Sequence, residues 1–552
     1  LYAVFWLSFL EGLPGTAQAH FTIDNYINVY GDPFAVTALK NTLGFSLTAV
    51  VISLLFGTTI AWLTERTDLP GKQAIYTLMT LSLLLPGFFT AMGWLFLLHP
   101  RIGILSQAIM KLTGMTDAPL SITTVAGMGW VQGLNLASLG FVLTSASFRS
   151  MDPSLEEAAK VNGARPGQIV RRVIVPLMSP GIMAAGMYVF TIALASFDVP
   201  AIIGLSNRIY TFSTYVYSRK VSADTLPQYG GIAAMSAMMV LVAIFISYFY
   251  GRIIKRADRF QVVTGKGYRP ERTRLGKRAI LAWVFIGIYV LCAKALPLLL
   301  LIWAAGLRFF QAPSLRALSQ MSWQNFTAMP LELVAKGATN TGQLMLMVPT
   351  LAIIFSFGFS WMVVRSRSRL RVLLDFFAFL PHAVPGLIFG VGAMFVALFI
   401  LKGIPLYGSV ALIAIVYVVQ HISFGTRLLN SSLLQIHRDL EEAAVISGAS
   451  GFRTARKILA PLVKPAILNG WIWLALITYR ELTVATLLFT PRNITLPTVV
   501  WNVWASGNYG VASAISLVLL SCLMPLILVY YAVGRRGGPP TAAAPAPAKA
   551  GS

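Results

Sequence analysis

The passage LEEAAKVNGARPGQIVRRVIVPL runs over Leu155–Leu177, and LEEAAVISGASGFRTARKILAPL runs over Leu440–Leu462. Aligned without gaps, the two share ten of 23 residues, where composition alone predicts roughly one or two. Read locally, each is a short helix, a sharp turn and a second helix. Ser154 and Asp439 stand as N-cap residues, with Glu157 and Glu442 three positions on, the spacing of a capping box. Ala158-Ala159 and Ala443-Ala444 continue the helix with almost no side-chain bulk. Gly163 and Gly448 end it, because a positive φ costs glycine little. Pro166 suits the first turn of the second helix, and Ser450 caps its counterpart. Pro176 and Pro180, or Pro461 and Pro465, break the chain before the next apolar run. A capping box alone fits any loop between helices. Its recurrence with the same glycine and proline spacing points to a small-residue knuckle that enters a groove on another protein.

Around these passages the chain is oily. Of 552 residues, 57% are hydrophobic and only 11% charged, against about 25% charged in a soluble domain; mean hydropathy is +0.73. The solvent for such a chain is lipid. After the fragment LYAVFWLSFL, apolar runs fall at 41–63, 74–98, 121–147, 181–204 and 231–254, then at 279–305, 340–364, 372–401, 408–433, 466–489 and 510–533. Each is near the ~20 residues that span a bilayer. The net charge of +24 does not indicate nucleic acid, because the basic residues sit in short loops between apolar runs. Cys292 and Cys522 lie inside apolar runs and show no metal-ligand spacing.

The two series of runs repeat one another. Asn41-Thr42 and Asn340-Thr341 are 299 positions apart, as are Pro86-Gly87 and Pro385-Gly386. Gly140 and Gly425, Gly163 and Gly448, and Pro176 and Pro461 are 285 apart. The chain therefore reads as an all-α polytopic membrane protein made of two six-helix units in parallel repeat, about 12 transmembrane helices with the first truncated. The expected domains are a first unit at 1–250, a basic cytoplasmic joint at 251–278, a second unit at 279–536 and a disordered tail at 537–552. The joint carries ten Lys or Arg against two acidic residues. With Arg66, Lys72, Arg365, Arg367, Arg369 and Arg371 it marks the cytoplasmic side, and both knuckles share its parity.

EAAKVNGARPGQIVRRVIVP and EAAVISGASGFRTARKILAP resemble the EAA loop of binding-protein-dependent ABC importer permeases: E-A-A, three residues, G, nine residues, then I-x-L-P. Val173 and Val175, and Ala460, are mild departures from its aliphatic positions. The layout resembles fused two-unit permeases of the ferric-iron and thiamine group, and YRELTVATLLFTPRNITLP (479–497) looks most like the ferric-iron members. The resemblance implies a multi-pass subunit of the bacterial inner membrane, with Glu157, Ala158, Ala159, Gly163, Glu442, Ala443, Ala444 and Gly448 docked on two cytoplasmic ABC ATPase subunits. It also implies a periplasmic solute-binding protein as partner, with ferric iron as leading cargo and thiamine, a phosphonate or a sugar phosphate as alternatives. No nucleotide-binding G-x-x-x-x-G-K-[ST] occurs; ATP and Mg would bind the partners, and no cofactor or catalytic set is expected in this chain. A secondary transporter with two six-helix halves is the rival class.

Ionisable residues at membrane depth are candidates for the path. Asp198 and, in the counterpart run, Arg480-Glu481 lie about 24 and 21 Å above the cytoplasmic ends of their runs. Asp198 and Glu481 are expected to face the cavity, with Arg480 tempering their charge; the alternative makes Asp198 a helix end and Arg480 a partner of a neighbouring carboxylate. His421 is a further candidate, or else a buried histidine bonded to a neighbouring helix. Lys294 lies mid-membrane, and periodicity supplies no reason for it.

Overall fold

The computed structural model describes residues 1–12, 14–151, 154–221, 229–257, 273–365 and 370–537. Most of the basic joint, Arg367, Arg369 and the tail beyond Gly537 lie outside the described residues. The chain opens with α1 (Tyr2–Ser8), the two-stranded antiparallel β1 (Leu10–Glu11) and β2 (His20–Phe21), and α2 (Asp24–Gly31). Next come α3 (Pro33–Arg66), α4 (Lys72–Ser82), α5 (Gly87–Leu98), α6 (Ile104–Thr113) and α7 (Val125–Ser150). The first knuckle holds α8 (Ser154–Val161) and α9 (Pro166–Ile169), and leads into α10 (Val175–Ala195), α11 (Phe212–Val221) and α12 (Tyr229–Ala257). The second series starts with α13 (Ala279–Val290), α14 (Leu296–Gly306), the short α15 (Leu315–Ser319) and α16 (Gln324–Thr327), and α17 (Leu331–Arg365). It continues through α18 (Leu370–Ala383), α19 (Gly386–Phe395), α20 (Val410–Leu434), α21 (Asp439–Ile446), α22 (Gly451–Thr454) and α23 (Ala460–Leu462). It ends with α24 (Lys464–Arg480), α25 (Thr483–Leu487), α26 (Leu496–Ala505) and α27 (Tyr509–Gly537).

Among the described residues eight helices are long and apolar enough to cross a membrane, or ten if each of two sharply bent pairs counts as one span. The chain is thus all-α and multi-pass. The expected run 74–98 is a helix broken by 92° between α4 and α5. The run 372–401 is likewise divided, into α18 and α19. Both breaks fall at the repeated Pro-Gly pairs: Pro86 and Pro385 hold extended backbone (ψ 137° and 134°) as the residues before α5 and α19. Proline lacks the N–H that a continuous helix needs there.

Packing divides the chain into two units, Leu1–Thr341 with His382–Val416 and Arg480–Val518, and Gly342–Pro381 with Tyr417–Tyr479 and Leu519–Ser552. Inside the first unit α3 lies along α7. The approach is so close that a Cβ on Gly140 would stand 3.0 Å from Ser53 Oγ. In the second unit a Cβ on the counterpart Gly425 would overlap Ser356. Glycine lets the backbones meet, as small residues do in membrane bundles, and Ser53 Oγ–H donates to the Leu136 carbonyl across the contact at 2.9 Å.

The repeated Asn-Thr pairs also have one task. Asn41 Nδ2 donates to the Tyr210 carbonyl (2.9 Å), and Thr42 Oγ1 accepts the N–H of Phe212 (2.7 Å), the first residue of α11. Asn340 Nδ2 donates to the Ile494 carbonyl (2.8 Å), and Thr341 Oγ1 accepts the N–H of Leu496 (2.9 Å), the first residue of α26. Each pair ties the long helix that carries it, α3 or α17, to the start of a short helix far along the chain. An N–H at a helix start has no partner within the helix, so an outside acceptor stabilises it.

Candidate functional site

Both knuckles close by the same backbone bonds. Gly163 N–H donates to the Lys160 carbonyl (2.9 Å) and Ala164 N–H to the Ala159 carbonyl (3.0 Å); Gly448 N–H donates to Val445 (2.9 Å) and Ala449 N–H to Ala444 (2.9 Å). This is the paired bonding of a Schellman end, and it requires a left-handed residue. Gly163 has φ +78° and Gly448 φ +77°. No atom lies within 4 Å of where a Cβ would stand on either glycine, so conformation and not crowding selects it. Ser450 Oγ accepts the Arg453 N–H at 3.3 Å and caps α22.

Two local expectations change, while the first cap, Ser154, adjoins residues outside the described ones. Asp439 is already the first residue of α21, which starts after Arg438 with no side-chain cap. The prolines do not interrupt the first copy: one helical path runs over Gly167–Ala195, with a π turn at Val170–Ile174. The second copy has its π turn at the counterpart Ala455–Leu459, but bends by 76° between Leu462 and Lys464.

Each knuckle is anchored by an ion pair that the sequence reading did not single out. Arg66, the last residue of α3, bonds Glu156, with side chains only 7% and 11% exposed. Arg365, the last residue of α17, pairs through Nε with Glu441 Oε1 at 2.5 Å, and its Nη2 donates to the Leu433 and Ile436 carbonyls at 3.1 and 2.9 Å. The arginines keep the 299-residue offset and the glutamates the 285-residue offset. The signal was therefore available in the sequence as a repeated arginine and a repeated glutamate. Of the two adjacent glutamates, the second is half-buried in the first copy (Glu157) and exposed in the second (Glu442); Ala158 and Ala443 are exposed, whereas Ala444 is buried. At the tips, Val161 and Ile446 occupy equivalent positions and are 88% and 87% exposed. Exposed aliphatic side chains beside alanine make an apolar tip on a polar knuckle, the composition of a docking surface.

The second group lies in the first unit, at the break between α4 and α5. A broken helix frees carbonyls at one end and N–H groups at the other. Arg480 Nη1 donates to the Leu85 carbonyl at 3.0 Å, and Lys294 Nζ reaches the Ser82 carbonyl at 3.4 Å. Lys294 thereby gains the role that periodicity did not supply. Asp198 Oδ2 lies near the opposite terminus: a Cβ on Gly87, the first residue of α5, would be 3.5 Å from it. Asp198 also bonds the Thr483 side chain and feels the charge of Arg480. The Glu481 carboxylate accepts the Val484 N–H (3.2 Å to Oε2) at the start of α25. Cations thus meet carbonyl ends and carboxylates meet N–H ends, the arrangement that helix dipoles favour. The expected trio of Asp198, Arg480 and Glu481 comes together with Lys294 added. His421 belongs to the other unit, on α20, buried with its ring 6.3 Å from that of Tyr417. Among the described residues no three or more His, Cys, Asp or Glu gather as a metal-holding set.

The family described as binding-protein-dependent transport system inner membrane component matches residues 53–259 and 350–537. The Fe(3+)-transport system permease protein FbpB 2 of Haemophilus influenzae is 25% identical over 91% of this chain and 91% of its own length. The ferric transport system permease protein FbpB of Actinobacillus pleuropneumoniae is 25% identical over 92% of this chain and 73% of its own. The trehalose transport system permease protein SugB of Mycobacterium tuberculosis is 29% identical over 42% of this chain. A bacterial alginate ABC transporter, crystallised with its periplasmic protein bound to an alginate pentasaccharide, has a chain that aligns over 48% of this one at 14% identity and a TM-score of 0.38.

Proposed function

Because the chain belongs to the binding-protein-dependent transport system inner membrane component family, and is thus a multi-pass permease subunit of an ABC importer in the inner membrane, we propose that it moves ferric iron and couples that movement to two ATPase subunits through its paired knuckles. The observation that carries the coupling is the repeated construction: one Schellman-closed elbow, one buried arginine–glutamate anchor and one exposed aliphatic tip, each present twice. A force applied to Val161 or Ile446 passes through a short rigid helix to the end of α3 or α17. Glu157, Ala158, Ala159 and Gly163, with Glu442, Ala443, Ala444 and Gly448, form the coupling set. The two permease units, 1–250 and 279–536, contribute one knuckle each, and a periplasmic solute-binding protein delivers the cargo.

Ferric iron is favoured over a sugar because the relatives named for ferric transport align over nine-tenths of the chain as a fused pair of units, whereas the trehalose permease aligns over less than half. Asp198, Arg480 and Glu481 line the path at the broken helix, where half-helix ends and charges coincide at membrane depth. The subunit itself performs no chemistry; ATP and Mg bind the ATPase partners.

Reconstitution with the ATPase and binding protein tests this reading. Radiolabelled ferric iron should enter vesicles only with internal or external ATP on the ATPase side, while thiamine and glycerol phosphate should not. ATP-driven uptake of either organic compound, with none of iron, removes the cargo assignment. Asp198→Asn and Glu481→Gln should each slow uptake; undiminished rates in both remove these residues from the path.

A further inference from the structure

A groove of about 370 Å³ runs between α4 and α13 on the first unit. Its wall is apolar throughout: Ala74 and Leu78 on α4, Trp283 and Val290 on α13, and Ala295 in the π turn that follows. Its floor is Gly287, beside which no atom lies within 4 Å of a Cβ position. From Trp283 to Ala295 the helical path is about 18 Å long, close to the ~15 Å depth of one leaflet's hydrocarbon. A lipid-facing helix normally presents side chains along its whole face. Here a glycine leaves a slot of acyl-chain length.

The slot's cytoplasmic end is built and charged. Trp283 abuts Gly71, whose Cβ position is 3.0 Å from the indole ring. The next residue, Lys72, donates to the Thr67 carbonyl at 2.5 Å. The segment entering α13 is tied to the same loop: Asp68 N–H donates to the Thr273 carbonyl (3.1 Å), Thr273 N–H to the Arg66 carbonyl (2.9 Å), and Leu275 N–H to Asp68 Oδ1 (2.8 Å). This tie brings Arg274, Lys277 and Arg278, all exposed, to the mouth of the slot. Among the described residues four cations, Lys72, Arg274, Lys277 and Arg278, stand on this tied segment with one carboxylate, Asp68. At the corresponding positions of the second repeat Gly71-Lys72 becomes Leu370-Arg371, so the sequence there lacks the glycine.

We propose that the groove is a specific site for an anionic phospholipid of the cytoplasmic leaflet, one acyl chain lying over Gly287 and the headgroup held by Lys72, Arg274, Lys277 and Arg278. Such a lipid packs α4 against α13. At the groove's far end, the π turn Leu291–Ala295 carries Lys294, which reaches the Ser82 carbonyl at the α4–α5 break. The lipid therefore buttresses the elbow that organises the buried charge group. Apolar burial along the slot supplies attraction to any lipid; the cation cluster supplies the headgroup preference, since each basic residue near an anionic surface adds to binding.

The test is native mass spectrometry of the full transporter, released from nanodiscs of phosphatidylcholine mixed equally with phosphatidylglycerol. Wild-type protein should retain phosphatidylglycerol over phosphatidylcholine by about tenfold. Gly287→Leu and, independently, Ala74→Phe fill the slot and should abolish the retained lipid; two variants on different helices guard against failure of one to fold. Replacing Arg274, Lys277 and Arg278 together by Gln should leave lipid retained but reduce the preference to about twofold. Equal retention of both lipids by the wild type, or undiminished phosphatidylglycerol on both filled variants, overturns the proposal.

Discussion

Neutralising the anchor glutamates should weaken the two knuckles unequally. In the first copy Arg66 and Glu156 are 7% and 11% exposed, and among the described residues the guanidinium bonds that carboxylate while its Nε has no partner. Glu156→Gln leaves a guanidinium at a nearly dry helix end. Removing one member of a buried pair costs about 3–5 kcal/mol, and the residual exposure places this case near about 3 kcal/mol. In the second copy Arg365 and Glu441 are 12% and 18% exposed, and Arg365 also donates to two carbonyls of the α20 end. The guanidinium stays partly satisfied after Glu441→Gln, so about 1–2 kcal/mol is expected. The cost is local: it releases α8 or α21 from the helix it is anchored to, without touching the α3–α7 contact. Hydrogen exchange on the reconstituted complex should show faster exchange over 154–164 in Glu156→Gln, and a smaller increase over 439–449 in Glu441→Gln. ATP hydrolysis stimulated by the loaded binding protein should fall more in the first variant. A double-mutant cycle with Arg66→Met should recover most of the loss, because the orphaned cation is then gone. Equal effects in the two copies, or no recovery in the cycle, refute the reasoning.

The remaining expectations follow from the same geometry. Gly163→Ala or Gly448→Ala should cost about 1–2 kcal/mol of local stability through the left-handed backbone alone, whereas asparagine at either site should be nearly tolerated; matching melting curves for Ala and Asn would contradict this. Val161→Asp and Ile446→Asp should leave thermal stability within about 0.5 kcal/mol, as exposed positions do, yet strip the ATPase from the permease on co-purification. At the start of α3, burial alone would raise the Asp32 carboxyl, but the Phe34 N–H, the Tyr215 hydroxyl and the Arg219 guanidinium outweigh it and hold its pKa below the ordinary value. A carboxyl depressed on folding stabilises above its unfolded pKa and loses that contribution as pH falls through the folded one. Wild-type protein should therefore lose melting temperature below about pH 4 more steeply than Asp32→Asn, and parallel profiles would remove the tie.

The sequence by itself carried the duplication and the form of the knuckles. These depend on signals that are local or recur: apolar runs, and a glycine that must stop a short helix at the same place twice. Gly163 and Gly448 have nearly the same φ because a Schellman end needs a left-handed residue, whatever surrounds it. Tertiary structure alone decided how sharply the apolar runs bend and which charges meet. Residues 74–98 are apolar on both sides of Pro86, so composition reads one span; the proline marks where the helix can break, but the 92° angle is set by packing. Arg66 and Glu156 are 90 residues apart, and Lys294 meets Ser82 across 212. No local pattern encodes such a meeting, because a carbonyl freed by a broken helix takes whichever donor the fold brings near it, and a buried cation persists only where that acceptor exists.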